Sequence, residues 1–175
     1  DSRRLIITMP PRHGKSQLAS RNFPSWCFGV DPNILFINAS YSSNLAESMN
    51  RDVQKIMQSD NYHYVFPSTN LLLNKKNNGI KSVKTSSFFE IPCYDGSLQS
   101  AGVDGGITGR GADILSIDDP FKNRKEADSP TIRNNVWDWY ASTAYTRLSP
   151  GGGMLVTVTR WHEDDLVGRL LDAMK

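Results

Sequence analysis

Leu5 to Ser16 constrains this chain more than any other stretch. Leu5, Ile6, Ile7, Thr8 and Met9 form an apolar, β-branched run that predicts a short buried strand. Pro10-Pro11-Arg12-His13-Gly14-Lys15-Ser16 follows, ahead of a segment that can be helical from about Gln17. Strand, turn with Gly-Lys-Ser, then helix is the order a phosphate-binding loop requires. Gly14 can adopt backbone angles that turn successive N–H groups into one concavity, and a helix starting near Lys15 aims its positive end at the same place. Lys15 adds a mobile charge for the β and γ phosphates, and Ser16 offers a hydroxyl to Mg²⁺. The usual spacing GxxxxGK[ST] has a first glycine where this chain has Met9, and Gly-Lys-Ser alone also occurs in ordinary turns. The nucleotide-binding reading therefore depends on an acidic partner elsewhere.

That partner is Ile114-Leu115-Ser116-Ile117-Asp118-Asp119, an apolar strand delivering two carboxylates at its C-terminal end, where open α/β sheets hold ligands. Beside a phosphate loop the first carboxylate reaches hydrated Mg²⁺, and the second orients and deprotonates the attacking water. Taken alone, Asp118-Asp119-Pro120 reads as a turn or a helix cap. Paired with Gly14-Lys15-Ser16, the chemical reading prevails.

The remaining chain alternates strands and helices. Pro24 predicts a short or kinked first helix, Ile34–Ala39 a second buried strand parallel to the first, and Ser42 or Ser43 the cap of a helix running to about Ser59. Residues 60–79 lose periodicity and predict irregular structure with room for a short helix. Ser86–Pro92 and Gly96–Gly102 predict an antiparallel pair turned at Asp95-Gly96, and Ala112–Ile117 a third core strand. A helix follows over Pro130–Arg147 with Ser129 as its cap. Ser149 to Gly153 should break it, Met154–Thr159 predicts a fourth core strand, and Asp164 or Asp165 opens a last helix through Leu171. The alternation predicts an α/β fold with a mostly parallel central sheet and helices on both faces.

Composition narrows the function classes. At 175 residues with 38% apolar content there is room for one domain with a real core, and a net charge of +2 is too mild to establish a nucleic-acid surface. Lys75, Lys76, Lys81 and Lys84 form a local basic stretch best read as a solvated loop. No apolar run reaches the roughly 18 residues of a membrane helix, and no leader is visible. Cys27 and Cys93 stand apart with no ligand cluster, which predicts reduced, structural thiols. Trp137, Trp139 and Tyr140 recur at helical spacing and read as core rather than as a base-stacking platform. His162, Glu163, Asp164 and Asp165 read as helix capping rather than a metal site. The abrupt ends suggest a piece of a longer polypeptide.

Four runs give a more specific likeness: MPPRHGKS at 9–16, INASYSSNLAES at 37–48, GITGRGADILSIDDPFKNRKEADS at 106–129 and VTVTRWHEDDLVGRL at 156–170. In this order they resemble the ATPase domain of the large terminase subunit of tailed bacteriophages. That family packages DNA into a preformed capsid and carries an RNase H-like nuclease domain after the ATPase. The resemblance implies a P-loop NTPase of the ASCE, RecA-like kind, with ATP and Mg²⁺ as cofactors. Residues 1–175 then form a single ATPase domain, truncated at its N-terminus and without the nuclease.

It further implies that Pro11, Arg12, His13, Gly14, Lys15, Ser16 and Gln17 form the Walker A loop, its first glycine lost as terminases often lose it. Ser16 and Asp118 take the metal, and Asp119 stands where many members carry a catalytic Glu, with Glu126 as the alternative base. Arg12 resembles a γ-phosphate sensor whose alternative is an ion pair to Asp118 or Asp119. Arg110 resembles an arginine inserted into a neighbouring subunit's site. Thr157, Thr159 and Arg160 match the coupling motif, and Tyr41 to Ser43 match a segment that faces nucleic acid in related helicases. Implied partners are double-stranded DNA, a homo-oligomeric ring on the capsid portal and the small terminase subunit, with no membrane, in the cytoplasm of an infected or prophage-bearing host. Two other classes stay open: a helicase-like DNA-dependent ATPase, and a nucleotide-binding ring-assembly module with little turnover.

Overall fold

The computed structural model describes residues 3–71, 82–103, 105–107 and 109–174. Lys75, Lys76 and Lys81 lie outside these, as does much of the stretch for which irregular structure is expected. Lys84 is exposed. Six strands form one sheet in the order β1-β6-β5-β2-β4-β3: β1 Arg4–Thr8, β2 Leu35–Ser40, β3 Phe88–Glu90, β4 Ser97–Gly102, β5 Ala112–Asp118 and β6 Leu148–Val158. Every pairing is parallel except β3 against β4.

Strand alternation divides the core between the two faces. On one face Ile37, Ala39, Leu115, Ile117, Met154, Val156 and Val158 pack with helical residues Val136, Trp139, Tyr140, Leu166 and Leu170. On the other, Phe36 and Leu98 join Phe28, Val53 and Met57. Each fully buried large side chain in these clusters contributes about 1.5–3 kcal/mol of transfer free energy. Trp139 and Tyr140 are thus core, as expected, and Trp137 packs against them.

The helices follow their caps. After the phosphate loop, α1 Lys15–Gln17 runs through a π turn, Leu18–Asn22, into α2 Phe23–Val30. The kink expected from Pro24 therefore takes the form of one widened turn. Ser42 caps α3 Ser43–Met57 by accepting from the Leu45 N–H, and Ser59 caps the short α4 Asp60–Val65. Asn123 caps α5 Arg124–Asp128 and Ser129 caps α6 Pro130–Trp139, which continues through a π turn and a 3-10 turn to Arg147. Asp165 caps α7 Leu166–Asp172.

Three expectations need correction. β1 is not buried: it is an edge strand, with Leu5 56% exposed and Ile6 and Ile7 half-buried. Ser149 to Gly153 does end the helix, but these residues belong to β6 rather than to a separate loop. Ala112 pairs with Leu148 and Ile114 with Gly153, so the extra residues form a bulge that the side-chain-free glycines admit. Asp95-Gly96 is not a tight hairpin turn either. Residues 91–96 form a longer connection in which Cys93 takes φ 71° and the Ile91 N–H donates to the Gly96 carbonyl at 2.8 Å. A Cβ on Gly96 would stand 2.0 Å from the Pro32 carbonyl oxygen. Close packing, not a left-handed turn, requires glycine there.

Candidate active site

β1 ends in the turn that its sequence announces. Met9 donates its N–H to the Val158 carbonyl at 3.1 Å, tying the start of the turn to the end of β6. Arg12 and Gly14 take positive φ of 63° and 83°, and this alternation turns backbone N–H groups into a common concavity. Gly14 then caps the helix, its carbonyl accepting from the Leu18 N–H at 3.0 Å. A Cβ at Gly14 would meet nothing within 4 Å, so backbone angle and not space selects glycine. Pro11, Arg12, His13 and Gln17 lie around this opening; His13 Nδ1 is 2.8 Å from the Pro11 carbonyl and Gln17 bonds Asn22.

Lys15 points the other way, to the carboxylates. Its Nζ lies 2.7 Å from Asp119 Oδ2 with the lysine side chain only 7% exposed. The ion pair considered for Arg12 is thus made by Lys15, and Arg12 makes none among the described residues. Asp119 has φ 43°, a strained angle for a residue with a Cβ. Four contacts hold it there: its N–H to the Thr157 carbonyl at 2.9 Å, its carbonyl to the Tyr41 N–H at 3.2 Å, Oδ1 to the Thr159 N–H at 2.7 Å, and Oδ2 to Lys15.

Asp118 faces the opposite side of β5 from Ile117 and is fully buried. Ser20 donates to its Oδ2 at 2.7 Å, the Ser16 hydroxyl is near enough to favour the charged carboxylate, and Oδ1 has no hydrogen-bond partner. Burial pushes the Asp118 carboxyl above the ordinary carboxylate range, against the lowering effect of those two hydroxyls and Lys15. A buried carboxylate oxygen with no protein partner, beside a serine hydroxyl, is a donor set suited to a hard divalent cation. The residues therefore fit Mg²⁺.

Asp118 ends a row of buried polar residues, of which sequence reasoning gave no role to Asn38, Ser40 and Ser116. Asn38 and Ser40 on β2, Ser116 and Asp118 on β5, and Thr157 on β6 are all fully buried. Asn38 pairs in register with Ser116, Ser40 with Asp118, and Asp118 with Thr157, which puts them on one face. The signal was present: in the otherwise apolar runs of β2 and β5, polar residues recur at every second position toward the C-terminal end.

Other expected residues fall elsewhere. The Arg110 guanidinium lies 4.1 Å over the Phe88 ring and 4.0 Å from Glu90 Oε1, both on β3 at the far edge of the sheet from β1. Five strand spacings separate those edges, about 24 Å, so Arg110 is not brought to this chain's own phosphate loop. Glu126 accepts from the Lys122 N–H at 2.9 Å while its own N–H bonds Asn123, which commits it to the N-terminal end of α5. Thr159 Oγ1 bonds the Met9 carbonyl at 3.4 Å, and Arg160 is held by Asp165 at 2.7 Å and by the carbonyls of His162 and Glu163. Asp164 sits between Arg133 and Arg169, which hold its carboxyl well below the usual range, the Arg169 bond contributing most. A cavity of about 990 Å³, lined mainly by apolar residues such as Leu5, Leu18, Phe23, Trp26 and Ile114, lies near the N-terminal strand ends and includes neither Asp118 nor Asp119.

One strand, β6, separates the loop-bearing β1 from the acid-bearing β5, so the two motifs meet across a single intervening strand. Against this geometry, the family model described as the N-terminal part of the T4-like-virus type large terminase subunit matches residues 6–170. The chain belongs to that family. Among solved structures it resembles the HK97 bacteriophage large terminase, at 12% identity and TM-score 0.63 over 98% of this chain and 32% of that one. It also resembles the Thermus phage P74-26 large terminase ATPase domain, at 15% identity and TM-score 0.57 over 90% of this chain and 60% of that one. The large terminase of a further thermophilic bacteriophage matches at 12% identity and TM-score 0.51 over 90% of this chain and 34% of that one. The fold is thus the P-loop fold of terminase ATPase domains, and the chain spans about a third of the HK97 protein's length. No curated protein matches it in sequence. Among the described residues no helix is long and apolar enough to cross a membrane.

Proposed function

We propose that this terminase-family domain is an Mg²⁺-dependent ATPase motor that drives double-stranded DNA into a capsid. The observation that carries the reading is the meeting of Lys15 with Asp119 beside the unpartnered oxygen of Asp118. The Gly14 turn receives the phosphates on its N–H groups, and Lys15 leaves Asp119 for the β and γ phosphates. Ser16 and Asp118 hold Mg²⁺, which neutralises phosphate charge when bound. Asp119, released on Oδ2 and still oriented through Oδ1 by the Thr159 N–H, accepts the proton of the water that attacks the γ-phosphorus. The same N–H links the base to the Thr157-Thr159-Arg160 segment, giving a direct route from phosphate state to the loop that Arg160 braces. Glu126 is committed to the N-terminal end of α5, which supports Asp119 as the base.

Arg12, with no ion pair among the described residues, serves at the loop as a γ-phosphate sensor. Arg110, remote from its own loop, is the residue a neighbouring subunit in a ring on the capsid portal receives. DNA is gripped chiefly through its phosphates, with little sequence preference. The small terminase subunit and the host cytoplasm complete the setting.

The test is steady-state ATPase activity with Mg²⁺ across protein concentrations for wild type, Asp119→Ala and Arg110→Ala. Loss of a general base lowers turnover about 10²–10⁴-fold, and a site completed by a neighbour gives activity rising faster than linearly with concentration and lost in Arg110→Ala. Wild-type turnover in Asp119→Ala would remove it as the base. Activity proportional to concentration and indifferent to Arg110 would show a site complete within one subunit.

A further inference from the structure

Ser20 lies outside the quoted motifs and Asn38 has no assigned role within one, yet both are fully buried against the acid-bearing strand. Ser20 donates to Asp118 Oδ2 at 2.7 Å from a position 98 residues away in sequence. It lies within the π turn Leu18–Asn22, one turn of helix after Ser16, and its hydroxyl is the one that bonds the carboxylate. Pro24 explains the local backbone. It has no N–H to give to the carbonyl four residues earlier, which is that of Ser20. Asn38 supplies a donor instead: its Nδ2 lies 3.1 Å from the Ser20 carbonyl. The chain of contacts therefore runs from β2 through the π turn to β5.

We propose that Ser20 is a positioning residue for Asp118, that Asn38 holds Ser20 in place, and that together they set the Mg²⁺ affinity of the nucleotide site. With Oδ2 occupied by Ser20, the carboxylate has one orientation, and its unpartnered oxygen is Oδ1. Groups that orient a metal-ligating carboxylate typically change metal affinity about 10–100-fold when removed. The inference rests on the ATPase reading and adds to it two residues outside the Walker elements.

The experiment measures binding of a fluorescent ATP analogue, titrated with Mg²⁺ and repeated in EDTA. Ser20→Ala should raise the Mg²⁺ concentration at half-saturation about tenfold or more, with nucleotide affinity in EDTA unchanged. Asn38→Leu should shift it the same way by a smaller factor. Ser20→Cys, similar in size but a weak donor, should shift it like Ser20→Ala and serves if the alanine variant does not fold. A Mg²⁺ midpoint within about twofold of wild type in a folded Ser20 variant, well short of the shift expected for a lost orienting group, would overturn the proposal. An equal loss of nucleotide affinity in EDTA, the mark of general distortion, would overturn it too. Wild type that binds no nucleotide with or without Mg²⁺ would overturn the ATPase reading and this inference together; Mg²⁺-dependent wild-type binding with unmoved variants would overturn only the latter.

Discussion

The two faces of the sheet are built from the same strands and do different work. On one face Ile37, Ala39, Leu115, Ile117, Val156 and Val158 remain apolar to the strand ends. On the other, residues interleaved with them turn from Phe36 and Ile114 to Asn38, Ser40, Ser116, Asp118 and Thr157. Several of the polar atoms on that second face have no partner: Asn38 Oδ1, Ser40 Oγ, Ser116 Oγ, Asp118 Oδ1 and Thr157 Oγ1. Buried polar groups are normally satisfied, and these exceptions gather on one face toward the C-terminal strand ends. The apolar face anchors the strands; in the proposed ATPase reading the polar face presents the metal-binding carboxylate.

The sharpest way to break this comparison is a pair of neighbours, both fully buried. Leu115→Ala should cost about 3 kcal/mol in urea unfolding through lost burial and the cavity left behind. Ser116→Ala, one residue on, should move stability by no more than about 0.5 kcal/mol, since its hydroxyl has no bond to lose. Equal costs would mean the polar face is as tightly packed as the other.

Asp118→Asn probes the same face through charge and should come next in size. Removing a buried carboxylate should stabilise the Mg²⁺-free protein by about 1 kcal/mol at neutral pH, seen as a melting temperature about 2–4 °C higher, while abolishing Mg²⁺-dependent turnover. The sign with pH follows from the raised folded-state value. Wild type loses stability as pH rises through that value, whereas the variant does not, so the variant's advantage should grow from acid to neutral pH and vanish below the ordinary aspartate value of about 3.9. An advantage independent of pH would disprove the desolvation argument.

The smallest effect lies away from both faces, at Asp164 between Arg133 and Arg169. Its carboxyl is held low, so its contribution is present above the ordinary aspartate value and lost as pH falls through the folded-state value. The carboxylate is 44% exposed, which limits the pair to the range of surface ion pairs, up to about 1 kcal/mol. Asp164→Asn should therefore lower stability at neutral pH by no more than that amount, with the difference from wild type shrinking in strong acid. A loss that persists unchanged in acid would mean that packing, not charge, holds this residue in place.

Sequence alone determined the sites at which the chain changes its local geometry. Gly14 before Lys15 and Ser16, the serines ahead of α3 and α6, and the paired aspartates at the end of β5 are local signals whose backbone chemistry acts within a few residues. The strand-and-helix alternation then fixed the class of fold, because parallel strands need covered faces. Tertiary structure decided what depends on residues far apart. It set Lys15 on Asp119, absorbed Ser149 to Gly153 into β6, and sent Arg110 to β3 at the far edge of the sheet. It also made Ser20 a partner of Asp118 and Asn38 a partner of Ser20. Those outcomes follow from strand order and register, which bring residues 20, 38 and 118 into one hydrogen-bonded chain, and no pattern of neighbours in the sequence carries that information.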